Sequence, residues 1–577
     1  MAEFTIADLI VDTLARAGVR HIWGLPGDSL NGLTESLRRQ DRIRWRGVRH
    51  EEVAALAASA EADATQSLSV CAGSCGPGNL HLINGLYEAQ RAGVPMLAIA
   101  AQIPSSEIGL GYFQETHPEN LFRECSDYCE LVSSPEQMPQ VLETAMNTAL
   151  TQRRVAVIVV PGDVALKPAP VKQASWNAPV RGVTVPPAAA LDTLAEQLAG
   201  HSRIAILGGY GCHGHHAQVV ALAERLKAPV IHALRGKQSL EYDNPFDVGM
   251  TGLIGFSSGY QALKKCDFLL MLGTNFPYRD FFPEHGNIVQ IDERGAHLGR
   301  RCSLLQGLVG DIGATLEALL PRLAEQPDRS FLEETQAHYR KARQGLDELA
   351  TPRAEGEPLH PQYLTARISE LAAADTVFTC DVGTPTVWAA RYLAMNGQRR
   401  LTGSFMHGSM ATATPQAMGW QAAFPERQVV ALAGDGGISM LLGDLITLVE
   451  QQLPVKIVVY NNQTLGFVAM EMKAAGFVDE VTDLSPANFA EVAASLGLFS
   501  QRVDSSEQLD VALTAAFEHP GPALIDVHTA KQELSIPPRI QAEQAKGFSL
   551  YTLRAIMSGR GDEVIDLVKT NWPWQRG

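Results

Sequence analysis

At 577 residues the chain is too long for one hydrophobic core, and length alone argues for about three or four domains. Hydrophobic residues at 46% and charged residues at 19% fit an ordinary globular protein, and a net charge of −16 argues against nucleic acid, whose phosphates need a basic face. The opening Met1-Ala2-Glu3-Phe4 shows no export pattern, and no apolar run reaches the ~18 to 20 residues that cross a bilayer, so a cytoplasmic protein is expected.

In chain order, an amphipathic helix opens a first α/β block that closes on the apolar strand Val155 to Val160. Within this block Arg49-His50-Glu51-Glu52 heads an Ala-rich helix, where two carboxylates by themselves answer the helix dipole. Cys71 sits in an apolar strand and Cys75 in a Gly-rich turn. The pairs Cys71/Cys75 and Cys125/Cys129 lack the spacing and histidines of a zinc site, so reduced structural thiols are expected. A Pro-rich linker, 166–187, leads to a second block with strands at Ile204–Leu207, Val230–His232, Phe268–Leu272 and Ile288–Ile291. Gly209-Tyr210-Gly211-Cys212-His213-Gly214 follows the first of these and fits a dinucleotide pattern. The acidic residue due after the next strand is missing, and Arg235-Gly236-Lys237 stands there, which argues against a nicotinamide cofactor. A second Pro-rich linker, 350–361, precedes a third block with strands Val429–Ala433 and Val455–Tyr460, joined by one apolar helical stretch, Ile438–Gln451. The last residues carry two helical runs, one with Leu550, Leu553, Ile556 and Met557 on a side, the other with Val564, Ile565, Leu567, Val568 and Trp572. Alternating strands and helices predict an α/β protein of three doubly wound parallel-sheet domains, 1–182, 183–335 and 336–530, with a short helical C-terminal tail, 531–577.

The most telling feature lies in the third block. Gly434-Asp435-Gly436 and Asn461-Asn462 each follow an apolar strand, so both oxygen-bearing side chains emerge at carboxyl ends of parallel strands, where open α/β sheets bind ligands. A carboxylate, an amide oxygen and a backbone carbonyl suit a small hard cation such as Mg²⁺, and Gly436 and Gly437 let the backbone approach a diphosphate. A lone Gly-Asp-Gly is commonly a turn; the strand context and the second Asn pair give this one its weight.

With these motifs in place the chain resembles the thiamin-diphosphate enzymes of the pyruvate oxidase and acetolactate synthase group. The resemblance rests further on Gly24-Leu25-Pro26-Gly27-Asp28, Arg49-His50-Glu51, Gly76-Pro77-Gly78, Phe113-Gln114-Glu115, Asp381-Val382-Gly383-Thr384 and Gly408-Ser409-Met410. It implies that the three domains bind the cofactor's pyrimidine, FAD and the diphosphate with Mg²⁺. Glu51 would face N1′ of the aminopyrimidine, Met410 would bend the cofactor, and Asp435, Asn462 and Thr464 would hold Mg²⁺. Gly76, Gly383, Thr384, Gly408, Ser409, Gly436, Gly437, Gln463, Leu465 and Gly466 would complete the thiamin diphosphate site, with Phe113, Gln114, Phe467 and Val468 near the reacting atoms. FAD would lie against Gly211, Arg235, Thr251, Gly252, Leu253, Ile254, Thr274, Asn275, Phe276, Pro277, Tyr278 and Asp292. By residue chemistry alone Asp292 is equally a turn former.

The runs His81–Leu86, Ile103–Gly109 and Leu465–Lys473 look like the branch of the family that oxidises pyruvate and passes electrons to ubiquinone. That likeness implies oxidative decarboxylation of pyruvate to acetate by a homotetramer, peripheral on the cytoplasmic face of the cell membrane. Its tail would cover the site at rest and move to lipid, and terminal Trp572 and Trp574 suit an interface. The bland alternative is a tail packed on the protein's own surface. Two other family activities compete. A carboligase of the acetolactate synthase type would carry Gln-Trp-Glu or a close variant where this chain has Met470-Glu471-Met472, and a phosphate- and oxygen-using oxidase would need no lipid-facing tail. A catalytically dead flavoprotein subunit is the remote reading, opposed by intact Glu51, Asp435 and Asn462.

Overall fold

The computed structural model describes residues 4–171, 173–478, 481–533, 542–557 and 560–571. Three six-stranded, wholly parallel sheets follow one another along the chain. The first holds β1 (His21–Gly24), β2 (Arg44–Gly47), β3 (Ser69–Gly73), β4 (Met96–Gln102), β5 (Tyr128–Leu131) and β6 (Val155–Pro161), in the order β2-β1-β3-β4-β6-β5. The second holds β7 (Ile204–Gly208), β8 (Val230–His232), β9 (Asp247–Met250), β10 (Phe268–Leu272), β11 (Ile288–Asp292) and β12 (Gln306–Val309), in the order β12-β11-β10-β7-β8-β9. The third holds β13 (Val377–Cys380), β14 (Arg400–Gly403), β15 (Val429–Gly434), β16 (Lys456–Asn461), β17 (Phe499–Val503) and β18 (Ala523–His528), in the order β14-β13-β15-β16-β18-β17. The α/β fold of three doubly wound domains is therefore as expected. Central strands such as β4, β6 and β16 are buried along their whole length, which is why their sequences run apolar instead of alternating.

Eight helices bear on the site: α1 (Glu51–Thr65), α2 (Pro77–Ala92), α3 (Ala413–Ala423), α4 (Asp435–Met440), α5 (Leu445–Glu450), α6 (Gly466–Ala474), α7 (Ala542–Met557) and α8 (Gly561–Asn571). The Ala-rich composition of α1 has a packing cause. It lies between α2 and α3 at near-backbone distance: a Cβ on Gly85 of α2 would sit 2.4 Å from Ala55 Cβ, and one on Gly419 of α3 would sit 2.1 Å from Ala57 O. One buried apolar cluster consequently runs from Trp23 and Val53 in the first domain to Ala431 and Ile457 in the third.

The helical stretch expected over Ile438–Gln451 is broken. Between α4 and α5 runs a 3₁₀ turn, Leu442–Asp444, and the break frees Asp444 Oδ1 to accept the Arg49 backbone N–H at 2.8 Å and the Thr447 hydroxyl at 2.7 Å. In the tail, Gly547 brings α7 onto α6, since a Cβ there would meet Ala474 O at 2.1 Å, and Arg554 Nη1 donates to Gly476 O at 2.6 Å. Trp572 and Trp574 lie outside the described residues. Among the described residues no helix is long and apolar enough to cross a membrane.

Candidate active site

Each site segment falls at the carboxyl end of a strand, because in a βαβ unit that edge carries the loop into the next helix. In the third domain Gly383 and Thr384 follow β13, Gly408–Met410 follow β14, Asp435–Gly437 follow β15, and Asn462–Val468 follow β16. The strand order reverses between β13 and β15, so Asp435 stands at the switch point. Its Oδ1 accepts Gly436 N–H at 2.8 Å and its Oδ2 accepts Gln463 N–H at 2.6 Å, which ties the two motifs together. Asn462 Oδ1 accepts Thr464 N–H at 3.2 Å. Burial pushes the Asp435 carboxyl up to about 6, against the pull of these N–H donors. A buried carboxylate so disfavoured is a good cation ligand, because a divalent ion removes the cost of its charge.

The glycines form a cradle. A Cβ on Gly436 would meet Leu465 Cδ2 at 2.6 Å and Met410 Cε at 3.3 Å, so Met410 reaches over the Asp435-Gly436-Gly437 turn. A Cβ on Gly437 would lie 2.1 Å from Asp381 Oδ2. Asp381, within the Asp381-Val382-Gly383-Thr384 segment, is a structural hub. Its Oδ1 accepts Ala413 N–H at 2.9 Å, its Oδ2 accepts Gly434 N–H at 3.1 Å, and burial pushes its carboxyl up to about 6. A single Asp at a strand end gives no signal in sequence that separates this role from a turn. Left-handed backbone also gathers here: Gln114, Ala411 and Gln463 are three of the eight non-glycine residues with positive φ among the described residues.

In the first domain Glu51 begins α1 directly after β2, and it is 5% exposed. Its Oε2 accepts from His81 Nδ1 at 2.9 Å, and its Oε1 would be 3.0 Å from a Cβ on Gly78. His81, one turn into α2, is a site residue that motif matching left without a role. His50 stacks on His81 with ring centroids 4.3 Å apart. His50, Glu51 and His81 lie close together, with His50 Nδ1 accepting Glu52 N–H at 3.2 Å and His81 Nδ1 facing Glu51. Gln114 packs on Gly76, whose Cβ would meet Gln114 Cβ at 2.9 Å, while Phe113 beside it is 78% exposed. Among the described residues no hydrogen bond or ion pair joins Glu51 to Asp435, Asn462 or Thr464.

The middle domain repeats the edge logic. Gly211 follows β7, Arg235 follows β8, Thr251–Ile254 follow β9, Thr274–Tyr278 follow β10, and Asp292 ends β11. Five neighbouring strands thus present all the expected residues along one edge. The buried Thr251 hydroxyl and Asn275 Oδ1 have no hydrogen-bond partner among the described residues, the condition in which a polar ligand completes the set. Gly211 is pressed on Gly273, with only 2.6 Å between its would-be Cβ and Gly273 Cα, so the backbone there is fixed and bare. Arg235 stacks over Tyr210 at 4.0 Å and donates to Ala92 O at 3.2 Å. Asp292 accepts Arg294 N–H at 2.8 Å and faces His297 Nδ1 at 3.2 Å, so it also closes its own turn.

Two domains of one topology, one presenting a buried glutamate and the other an Asp-Gly-Gly turn with an Asn partner, carry the strand-end acidic residues and bare glycine turns of a cofactor-binding α/β enzyme. The chain belongs to the thiamine pyrophosphate enzymes. Residues 4–121 match the N-terminal TPP binding domain of that family, 191–319 its central domain and 381–527 its C-terminal TPP binding domain. A Bacillus subtilis protein described as thiamine pyrophosphate-containing is 36% identical over 99% of both chains. The pyruvate oxidase of Lactiplantibacillus plantarum is 30% identical over 90% of this chain and 87% of its own. The acetolactate synthase large subunit of Parasynechococcus marenigrum is 32% identical over 92% of this chain and 88% of its own.

Proposed function

We propose that the chain decarboxylates pyruvate oxidatively to acetate and carbon dioxide, passing the electrons through FAD in the middle domain to ubiquinone at a membrane surface. Thiamin diphosphate, when bound, supplies a nucleophilic thiazolium carbon and takes up the electron pair left by carbon dioxide, and the flavin accepts two electrons. The chain's residues do the rest. Glu51, held by His81, would keep a proton at the ring nitrogen of the cofactor. Asp435, Asn462 Oδ1 and the Thr464 carbonyl would hold Mg²⁺ against the diphosphate. Gly76, Gly383, Gly408, Gly436 and Gly437 would give it bare backbone, Thr384 and Ser409 would complete the seat, and Met410 over Gly436 would bend it. Phe113, Gln114, Phe467 and Val468 would wall the pyruvate pocket. Thr251 and Asn275, with their unspent polar atoms, support the flavin assignment. The family arrangement, in which Glu51 serves the cofactor of a second copy, supports a homo-oligomer, a tetramer in this reading.

The single observation behind the membrane half of the proposal is the tail. α7 turns Tyr551 and Ala555 inward against α6, while Leu553, Ile556 and Met557 are 60%, 57% and 87% exposed. The apolar stripe read from sequence is therefore largely free to meet lipid on the cytoplasmic side, and the helix it leans on carries Phe467 and Val468. The carboligase remains the second reading, favoured by the equal similarity to acetolactate synthases. Product analysis separates them. Purified protein with thiamin diphosphate, Mg²⁺, pyruvate and a soluble quinone should yield acetate in step with reduced quinone, faster with phospholipid vesicles. Acetolactate with no quinone consumed would reject the oxidase.

A further inference from the structure

Helix α2 carries three polar side chains at helical spacing, His81, Asn84 and Glu88, and each holds a part of the site. His81 holds Glu51. Asn84 Nδ2 donates to Glu52 Oε1 at 2.7 Å and to Ser409 Oγ at 2.9 Å, and Asn84 Oδ1 lies 2.8 Å from His407 Nε2. Glu88 accepts a hydrogen bond from the Ser404 hydroxyl. Ser404 is fully buried, and its oxygen accepts two backbone donors from the same loop, Gly408 N–H at 3.1 Å and Ser409 N–H at 3.0 Å. The loop that ends in Gly408, Ser409 and Met410 is thus closed on one hydroxyl, and the proton of that hydroxyl goes to Glu88.

A buried carboxyl is costly to retain unless its hydrogen bonds do something that an apolar side chain could not. Burial pushes Glu88 up to about 7, while Ser404 and Arg235 pull it down and Asp63 pushes it up. Asp63 comes from α1, where it accepts from Tyr210 Oη at 2.9 Å, and Arg235 comes from the turn after β8. Glu88 therefore stands where all three domains meet, in a small gap lined also by Ser59, Gln238 and Phe405.

We propose that Glu88 is a positioning residue for the thiamin cofactor: by anchoring Ser404 it fixes the 404–410 turn, and with it the seat of the aminopyrimidine and the wedge Met410. The proposal rests on this loop taking thiamin diphosphate, and is independent of the product or the electron acceptor.

The test is a titration of the metal- and thiamin-depleted protein with thiamin diphosphate and Mg²⁺, followed by tryptophan fluorescence and by the near-ultraviolet circular dichroism of the bound aminopyrimidine. Glu88→Ala and Ser404→Ala should each raise the half-saturating concentration about tenfold or more, the size of one lost buried hydrogen bond that leaves its partner unsatisfied. The double variant should be little worse than either single one, because both changes remove the same bond. Glu88→Gln keeps the acceptor and is isosteric with the protonated acid, so it should stay near the parent protein. Cofactor binding undiminished in Glu88→Ala, additive effects in the double variant, or Glu88→Gln as poor as Glu88→Ala would each overturn the proposal. If Glu88→Ala does not fold, Ser404→Ala and Glu88→Gln decide alone: the first weak and the second near normal supports it, any other result rejects it. None of these readouts uses pyruvate, so a wrong assignment of the overall reaction would leave the titration unchanged.

Discussion

The first and third domains share one strand order, β2-β1-β3-β4-β6-β5 against β14-β13-β15-β16-β18-β17, and dress it with different side chains. After the third strand of each sheet comes a bare glycine turn leading into a helix: Gly76-Pro77-Gly78 after β3, Asp435-Gly436-Gly437 after β15. Only the latter carries a carboxylate, placed among backbone N–H donors. In the first domain the carboxylate comes from the neighbouring crossing, after β2, and faces His81 instead of backbone amides. The fold supplies the frame, and in the proposed reaction the position of a single acidic residue on it would decide between proton handling and metal binding.

Breaking the comparison at either carboxylate should give the largest effects, of two different kinds. Glu51→Gln should lower pyruvate turnover by about a hundredfold or more, the usual weight of a positioned proton-transfer group, with thiamin diphosphate still bound. Asp435→Ala should instead abolish Mg²⁺-dependent cofactor binding in a fluorescence titration. If both variants failed in the same way, the division of labour between the domains would be wrong.

The next effect tests how the two domains are held together. Gly419→Ala places a methyl 2.1 Å from Ala57 O, so α1 and α3 must separate. A loss of about 1 to 3 kcal/mol is expected, read as a lower thermal midpoint, while the same change at the exposed Gly443, with nothing within 4 Å, should be close to neutral.

A smaller effect follows pH. The Glu88 carboxyl is raised from 4.5 to about 7 in the fold, so between those values the folded chain keeps a proton that the unfolded chain has lost. Its contribution to stability is fully present below about pH 4.5, falls as pH rises to 7, and then levels, by up to about 3 kcal/mol in all. Glu88→Gln should flatten that part of the profile in denaturant titrations. Smallest on the protein itself, Ile556→Asp in the exposed tail stripe should cut co-sedimentation with anionic vesicles several-fold while leaving the melting temperature near that of the parent chain.

Much of this frame was legible in sequence. Val155–Val160, Phe268–Leu272 and Val429–Ala433 are apolar runs too long and too continuous for half-exposed strands, and all three are buried parallel strands. Asp435 and Asn462 could be placed because their strands could. The sequence over Ile438–Gln451 predicts an unbroken helix, since its apolar pattern persists through a 3₁₀ turn whose Asp444 accepts a tertiary hydrogen bond from Arg49. His81, Asp381 and Glu88 carry no local motif. Their roles come from partners 30, 53 and 316 positions away, which no periodicity reports. The tail pattern was visible, but which of its residues turn inward, Tyr551 and Ala555, was not.

The most direct measurement is anaerobic mixing of the protein, loaded with thiamin diphosphate, Mg²⁺ and FAD, with pyruvate while flavin absorbance is followed. The oxidase account expects the flavin to bleach as one acetate forms per flavin, and Glu51→Gln to leave it oxidised. Flavin that stays oxidised while acetolactate accumulates would contradict it.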